Sequence, residues 1–255
     1  MPYLAGRNSV FEAIRANARV RRVLIENDAG EPRGSLRVLV DAARGAGIRV
    51  ERVPRGRLDA IHPRHQGVVA EVPAFAYTPF SDILQRARLE GDAALVLALD
   101  ELQDPQNVGT LLRTALAVRA TGVVMPERRN AEVTPAVVRS SAGAVEHLAI
   151  ARVANLVRAL DDLKGAGLWI VGLDVGGGQP YDEVDLSGAI ALVVGSEGSG
   201  LRRLVRENCD LLIHLPMTGP TESLNAAVAG SIGLYHVHRS RAHADRTAHP
   251  GDDPA

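Results

Sequence analysis

Three short motifs of polar and glycine residues follow apolar, strand-like runs, and they hold the side chains of this sequence best suited to chemistry. They lie at residues 107–113, 195–201 and 215–225 and are called the first, second and third motifs below. In an open α/β sheet, ligands bind beyond the carboxyl ends of the strands. We therefore predict that the three motifs gather at one ligand-binding edge.

The second motif, Gly-Ser-Glu-Gly-Ser-Gly-Leu, combines glycines with one carboxylate. Glycines let a backbone approach a ligand closely and adopt positive φ. An ordinary tight turn into the helix at 201 would explain the glycines equally well. Glu197 is not required by turn geometry, so it is the stronger functional candidate.

The polar residues of the other two motifs each have a structural alternative. Asn107 could cap a helix that begins near 108, and Ser223 could cap the last helix. Arg113 needs a partner if it faces the sheet, or it is simply solvated. Asn225 is harder to explain structurally, because asparagine has a poor helix propensity.

The elements that must position these motifs alternate regularly from residue 93 to residue 238. Near-continuous apolar strands separated by helices indicate a parallel sheet covered on both faces. Strands are predicted at 95–99, 122–125, 148–150, 169–173, 190–194 and 211–215. Helices are predicted at 108–118, from Pro135, and at 155–163, 201–207 and 223–238.

A separate small α/β domain is predicted at 1–75, with helices at 10–16 and 36–44 and strands at 23–25, 48–53 and 68–72. Residues 54–67 lack periodicity and are predicted to form a surface loop. Residues 76–92 are interpreted as a linker with a short helix from Ser81. The tail, 239–255, has little to bury and is expected to be disordered.

Charge is distributed unevenly along the chain, although the net charge is only −1. Residues 1–75 hold thirteen arginines against eight acidic residues, so this part carries about +5 and the remainder about −6. A basic half suggests a polyanionic partner. A coding preference for arginine, with Lys164 the only lysine, is the alternative.

Several function classes are disfavoured. The single cysteine, Cys209, forms no intrachain disulfide and no cysteine-based metal site, and we expect no metal. No secretory signal or membrane-length apolar run is visible, so a cytoplasmic protein without a membrane partner is expected. The run at 95–99 is not followed by G-x-G-x-x-G, which argues against a dinucleotide-dependent oxidoreductase. There is also no Walker A sequence and no G-x-S-x-G.

Together the three motifs resemble those of the SpoU/TrmH family of RNA ribose 2′-O-methyltransferases. The family pattern N-x-G-x-x-x-R is matched by Asn107, Gly109 and Arg113, and G-[SA]-E-G-x-G is matched at 195–200. P-M-x-G-x-x-x-S-L-N is matched at 216–225 without a gap. One departure follows, because Ala-Ala-Val-Ala stands at 226–229 where the family often has V-S-V-A.

The resemblance covers residues 95–238, and 1–75 is similar to the RNA-binding domain of the ribosomal-RNA subgroup, including His65-Gln66-Gly67. It implies an α/β parallel-sheet domain with a deep trefoil knot of the SPOUT type. It also implies S-adenosylmethionine as cofactor, and a homodimer whose sites borrow residues from the partner chain. The implied substrate is ribosomal RNA, at a guanosine of 23S ribosomal RNA, with tRNA less favoured.

The resemblance also implies roles for individual residues. The catalytic candidates are Asn107, Arg113, Glu197, Ser223 and Asn225, with Asn107 and Glu197 expected to orient Arg113 and the ribose. The cofactor-binding candidates are Gly195, Glu197, Gly198, Leu215, Met217, Gly219, Ser223 and Leu224. The RNA-binding candidates are Arg19, Arg21, Arg22, Arg55, Arg57, Arg64 and His65.

Two other functions remain open at this point. The first keeps the chemistry and changes the substrate: a tRNA ribose methyltransferase, or a ribosomal-RNA enzyme that confers antibiotic resistance. The second is a non-catalytic RNA-binding protein of the same fold. The presence of Asn107, Arg113, Glu197 and Asn225 argues against the second.

Overall fold

The computed structural model of this chain provides the architecture around the three motifs. It describes residues 3–15, 20–27, 32–198, 200–221 and 223–248. The described chain divides into two compact units. The N-terminal unit comprises residues 1–76 and 133–139, and the C-terminal unit comprises 77–132 and 140–255.

The N-terminal unit is built on a four-stranded sheet in the order β1-β4-β2-β3. Its strands are β1 Tyr3–Ala5, β2 Arg22–Glu26, β3 Arg49–Val53 and β4 Val68–Glu71. Its helices are α1 Arg7–Arg15, α2 Ser35–Gly45 and α3 Arg55–Ile61. Strands β2 and β3 are parallel, and the other two pairings are antiparallel.

Alternating side chains of β2 serve both faces of this sheet. Val23 and Ile25 pack with the apolar sides of α1 and α2, whereas Leu24 packs on the other face with Leu58 of α3. The prediction that 54–67 is all loop is therefore wrong. The helix α3 packs under the sheet through the fully buried Leu58 and the partly buried Ile61, which are too few to produce a periodic signal.

The C-terminal unit holds a seven-stranded sheet, ordered β7-β6-β5-β10-β8-β11-β9, in which every pairing is parallel. Its strands are β5 Leu95–Leu99, β6 Gly122–Pro126, β7 Ile150–Val153, β8 Trp169–Leu173, β9 Gln179–Pro180, β10 Ile190–Val194 and β11 Leu211–His214. The remaining helices are α4 Phe80–Glu90, α5 Pro105–Ala117, α6 Pro135–Ser140, α7 Leu156–Lys164, α8 Arg203–Asn208 and α9 Ala226–Ala248.

Strands β5 and β10 lie side by side at the centre of this sheet, and all five residues of each are buried. From β5 the chain builds outward through β6 to β7, and it then returns to the other side of β5. This reversal of strand order is a topological switch point, where open parallel sheets bind ligands. The second motif follows β10 directly, and the first motif lies in α5, the helix that follows β5.

Residues 76–92 do not form a linker. Ile83 and Ala87 lie one helical turn apart on α4 and are almost completely buried in the core of the C-terminal unit. An added Cβ at Gly122 of β6 would lie only 2.9 Å from Ile83, so helix and strand are in close contact. The short helix predicted from Ser81 is present as α4, which begins one residue earlier, directly after Pro79.

The predicted disorder from 239 onward is also wrong as far as Ala248, where α9 ends; 249–255 lie outside the described residues. Arg241 explains the added length. Its guanidinium donates to the carbonyls of Ala93 and Ala94, each at 2.7 Å, and to that of Gly188 at 2.8 Å. The helix is thus fixed to the chain just before β5 and β10, a contact that composition alone cannot reveal.

We expect Arg241→Met to lower the free energy of unfolding by about 1–3 kcal/mol, because three backbone carbonyls lose their donors. Urea denaturation followed by circular dichroism measures this difference. Arg239→Met, an exposed change on the same helix, is the matched control and should have little effect. A chain truncated after His238 that kept full stability would contradict the anchoring role.

Among the helices of the described chain, none combines the length and apolar character that crossing a bilayer requires.

Candidate functional site

Residues from all three motifs meet at the carboxyl ends of the central strands. Glu197 follows β10, Asn107 lies in the first turn of α5, and Asn225 directly precedes α9. The side-chain amides of Asn107 and Asn225 both donate to Oε1 of Glu197. Nδ2 of Asn225 also lies 3.0 Å from Oδ1 of Asn107, which accepts its hydrogen bond. We call these three residues the shared-carboxylate cluster.

The chemistry of the cluster fixes the orientation of both amides. An ionised carboxylate only accepts hydrogen bonds, so each asparagine must present its NH₂ group to Glu197. Oδ1 of Asn225 then faces the start of α9, where it accepts from the backbone N–H groups of Ala227 at 2.9 Å and Val228 at 3.2 Å. One asparagine therefore serves the site and caps the helix.

These contacts change both of the capping predictions. Asn225 caps α9, and Ser223 lies two residues earlier, outside the helix. Asn107 does not cap α5, because that helix starts at Pro105 and its cap is Asp104, whose side chain accepts from the N–H of Gln106 at 3.0 Å. Proline at the first helical position favours this earlier start.

The second motif forms a tight turn that only glycine permits at two positions. Ser196 and Gly200 exchange backbone hydrogen bonds of 3.1 and 3.0 Å, which closes the turn. An added Cβ at Gly195 would lie 2.3 Å from the carbonyl of Gly200, and Gly200 itself has a φ of +63°. The turn therefore brings the backbone close to itself and leaves Glu197 at its tip.

A buried ion pair holds the end of this turn against β5. Asp100, which directly follows β5, is completely buried. Its carboxylate accepts from the backbone N–H of Arg202 at 2.8 Å and from Nε of the same residue at 2.7 Å. The backbone N–H of Asp100 donates in turn to the carbonyl of Val194 at the end of β10. Asp100 is a positioning residue that the motif analysis missed.

We expect Asp100→Asn to lower the free energy of unfolding by about 2–4 kcal/mol, because an amide cannot accept both hydrogen bonds from Arg202 and turns its NH₂ group toward a donor. Urea denaturation tests this expectation. Asp104→Asn is the matched control, since asparagine also caps helices well. Equal losses in the two variants would contradict the clamp.

A cavity of about 310 Å³ opens beside the turn, between the ends of β8, β10 and β11. Seven of the eight predicted cofactor residues line it: Gly195, Glu197, Gly198, Leu215, Met217, Ser223 and Leu224. Gly219 does not line it and is exposed. Lining residues that the sequence did not suggest include Leu173, Asp174, Val175, Ser196 and Ala229.

Arg113 does not join the cluster. It is exposed on α5, does not line the cavity, and has no hydrogen bond or ion pair within the described residues. Six residues along a helix rotate a side chain by about 240° from Asn107. Within one chain, Asn107 and Glu197 therefore do not orient Arg113 as expected; they orient each other and Asn225.

The predicted RNA-binding arginines of the N-terminal unit differ in how closely acidic residues pair with them. Arg22 forms ion pairs with Glu71 at 2.6 Å and with Glu51 at 3.0 Å, so it is engaged within the sheet and is a poor candidate for binding phosphate. Arg55 and Arg57 form longer contacts of 3.5–3.7 Å and are about half or more exposed. Arg64, also exposed, forms no side-chain hydrogen bond or ion pair among the described residues.

His65 is 4% exposed and acts as a structural residue of its turn. Its Nδ1 accepts from the N–H of Gly67, so Nε2 carries the proton and donates to Asp59 at 2.9 Å. Burial argues against its predicted contact with RNA. Arg21 is exposed just before β2, and Arg19 lies outside the described residues.

A second cavity, of about 540 Å³, lies in the N-terminal unit and adds a basic residue that the sequence did not suggest. Arg7 lines it with Arg55, and its Nε donates to the carbonyl of Gln66 at 3.1 Å. Two arginines at one cavity can attract an anion, although Glu26 also lines it and pairs with Arg55.

Within the described residues, no group of three or more histidine, cysteine or acidic side chains could hold a metal ion. Burial raises the pKa of Cys209 to about 12. Its thiol therefore stays protonated near neutral pH and is neither a nucleophile nor a ready ligand.

Known proteins share this architecture and its motifs. The model of the SpoU rRNA Methylase family matches residues 94–235, and a model described as "RNA 2′-O ribose methyltransferase substrate binding" matches 3–78. The Bacillus subtilis protein YacO, named as a TrmH family tRNA/rRNA methyltransferase, is 41% identical over 94% of this chain and 96% of its own. An uncharacterized tRNA/rRNA methyltransferase of Mycolicibacterium smegmatis is 45% identical over 92% of this chain and 76% of its own.

Among solved structures, the SpoU methyltransferase AviRb from Streptomyces viridochromogenes, in complex with the cofactor AdoMet, superimposes with a TM-score of 0.59. It is 27% identical, and the match covers 94% of this chain and 90% of AviRb. The predicted α/β fold class is confirmed, and the trefoil knot is a feature that the family implies. Since a family model spans more than half of these residues and YacO is similar over nearly all of them, the chain belongs to the SpoU/TrmH family of RNA methyltransferases.

Proposed function

We propose that this chain methylates the 2′-hydroxyl of a ribose in RNA, and that the target is a guanosine of 23S ribosomal RNA. Family membership makes the chain an RNA methyltransferase that uses S-adenosylmethionine. The ribose, the base and the class of RNA belong to the proposal. One observation carries it: Glu197 lines the cavity and binds Asn107 and Asn225, so the three motifs converge beside a ligand pocket.

The cavity fits S-adenosylmethionine by its size and its charge. Leu215, Leu224 and Val194 provide apolar walls suited to an adenine ring, and the glycine turn offers backbone groups to polar edges. Asp174 and Glu197 are the charged residues among the described lining, and both are acidic. A cavity with two carboxylates suits a sulfonium cation.

When bound, S-adenosylmethionine supplies a methyl group activated by its sulfonium. The chain must then position a ribose hydroxyl and accept a hydrogen bond from it, because orientation removes much of the barrier. Oε1 of Glu197 takes both amides, and Oε2 remains able to accept from that hydroxyl. Ser223, at the cavity wall, offers a further hydroxyl to the acceptor ribose.

We propose that Arg113 anchors the phosphate next to the target ribose. Its guanidinium keeps its proton, with a pKa above about 12 in proteins, so it is better suited to bind phosphate than to act as a base. Its exposure, with no partner in the described chain, supports a role toward another molecule. In the homodimer that we propose, Arg113 would complete the partner's site.

RNA binding is assigned to the N-terminal unit, whose match to a substrate-binding model supports it. Among the residues described in that unit, the predicted candidates Arg21, Arg55, Arg57 and Arg64 are exposed, and Arg7 lines the second cavity. Arginine binds phosphates without reading sequence. The choice between 23S ribosomal RNA and tRNA therefore depends on shape, and rRNA is favoured by the family description and by the resemblance of 1–75.

Transfer of tritium from labelled S-adenosylmethionine to purified RNA tests the proposal. We expect label in 23S ribosomal RNA that, after digestion to nucleosides, co-migrates with 2′-O-methylguanosine. Label in tRNA, or in a base, would redirect the substrate assignment. Cofactor binding without transfer to either RNA would favour a non-catalytic RNA-binding protein.

A further inference from the structure

Asp174 is a carboxylate in the cavity wall that belongs to none of the three motifs. It directly follows β8, lines the cavity, and has a side chain only 12% exposed. Its backbone N–H donates to the carbonyl of Ile213 at 2.9 Å, which fixes its position between β8 and β11. A buried carboxylate at a ligand pocket is costly unless something binds it.

One oxygen of Asp174 is held from behind by an arginine. Nε of Arg206, on α8, lies 2.9 Å from Oδ2. The contact is an ion pair without hydrogen-bond alignment, because Oδ2 has no hydrogen-bond partner. Within the described residues no donor reaches Oδ1 either, although this atom would lie 3.3 Å from a Cβ added at Gly200. Oδ1 therefore faces the glycine turn and is available to a ligand.

The position of Asp174 identifies the group that it would bind. In the parallel pairing of β8 and β10, Leu173 lies opposite Val194, so Asp174 is level with Gly195 at the start of the glycine turn. In open parallel sheets that bind dinucleotides, an acidic residue at a strand end near the glycine-rich turn accepts a hydrogen bond from a ribose hydroxyl. A carboxylate has enough lone pairs to accept from two neighbouring hydroxyls.

We infer that Asp174 binds the ribose hydroxyls of the adenosine moiety of S-adenosylmethionine, with Arg206 as its positioning residue. This assignment rests on the proposed function for the identity of the cofactor. The other cofactor groups that a carboxylate could bind are the two cations, the sulfonium and the ammonium of the methionine moiety, and methylthioadenosine lacks both. If Asp174 binds the ribose, its loss should weaken the binding of every ligand that contains this ribose. If it binds a cationic group, only the binding of the intact cofactor should weaken.

Isothermal titration calorimetry with purified full-length protein tests the inference through binding alone. The ligands are S-adenosylmethionine, methylthioadenosine, which keeps the ribose but lacks the ammonium, and the 2′-deoxy form of methylthioadenosine. We expect Asp174→Asn to raise Kd about 10- to 100-fold for the first two ligands alike, since hydrogen bonds to charged groups contribute most to binding. Asp182→Asn, an exposed carboxylate outside the cavity, is the matched control.

The 2′-deoxy ligand distinguishes the loss of a hydrogen bond to the ribose from a general destabilisation of the variant. In the wild type, removal of the 2′-hydroxyl should raise Kd, and in Asp174→Asn it should raise Kd much less. This ratio does not depend on the fraction of folded protein. An unchanged Kd in Asp174→Asn would overturn the inference, as would a loss confined to S-adenosylmethionine, which would indicate one of its two cationic groups instead. If the wild type bound none of the three ligands, the proposed function would fall as well.

Discussion

Glu197→Ala is expected to lower the rate of methyl transfer by roughly 100-fold or more, because small displacements of reacting groups are this costly. The variant removes the acceptor shared by Asn107 and Asn225 and frees both amides at once. Single-turnover transfer from labelled S-adenosylmethionine, with cofactor affinity measured in parallel, separates positioning from binding. Glu183→Ala, an exposed carboxylate that does not line the cavity, is the control.

Asn225→Ser sharpens this test. Serine caps helices about as well as asparagine, so the start of α9 should persist while the amide donor to Glu197 is lost. Reduced transfer with unchanged stability would place the defect in the cluster. A Glu197→Ala rate within threefold of the wild type would refute the role of the cluster.

Arg113→Ala is expected to abolish detectable transfer while leaving the affinity for S-adenosylmethionine intact. The reason is its location: Arg113 is exposed, outside the cavity, and unpaired among the described residues, so its loss should affect the RNA and leave the cofactor pocket unaffected. Arg113→Lys keeps the charge but loses the planar, two-pronged donor, and should recover only part of the rate. Retained transfer in Arg113→Ala would contradict any catalytic role.

Mixing two inactive variants tests whether Arg113 acts across a dimer. If Arg113 completes the partner's site, a mixed dimer of Arg113→Ala and Glu197→Ala contains one intact site and one doubly altered site. Random exchange of subunits should then restore about a quarter of wild-type activity. If Arg113 acts within its own chain, each site lacks one residue and no activity returns.

Apolar strands were the most predictable part of the fold. The bounds of β5, β8 and β10 match the sequence predictions, because buried parallel strands are continuous apolar runs. The helix α3 was missed, and α4 was predicted only as a short helix within a linker, because each is anchored by one or two buried side chains. The extension of α9 depends on Arg241 binding carbonyls about 150 residues away in sequence, which no local pattern encodes.

Most residues of the site could be predicted from the sequence, but the hydrogen bonds between their side chains could not. The motifs contained Glu197 and Asn225, but no pattern in them indicated that Asn225 binds both the start of α9 and the carboxylate of Glu197. Asp100 and Asp174 escaped notice because single acidic residues at strand ends carry no spacing signal. Arg22 and His65 were predicted to bind RNA, yet in the structure their side chains bind Glu71 and Asp59, respectively. Such pairings arise only in the folded chain.

Asn225 both binds Glu197 and caps α9, and this has a consequence for relatives of this protein that lose the activity. A descendant that abandoned methylation would still need a good capping residue at that position to keep α9 stable, whereas nothing in the folding of the helix requires the acidic group of Glu197. In relatives that lose the activity, the glutamate should therefore be substituted early and the asparagine late.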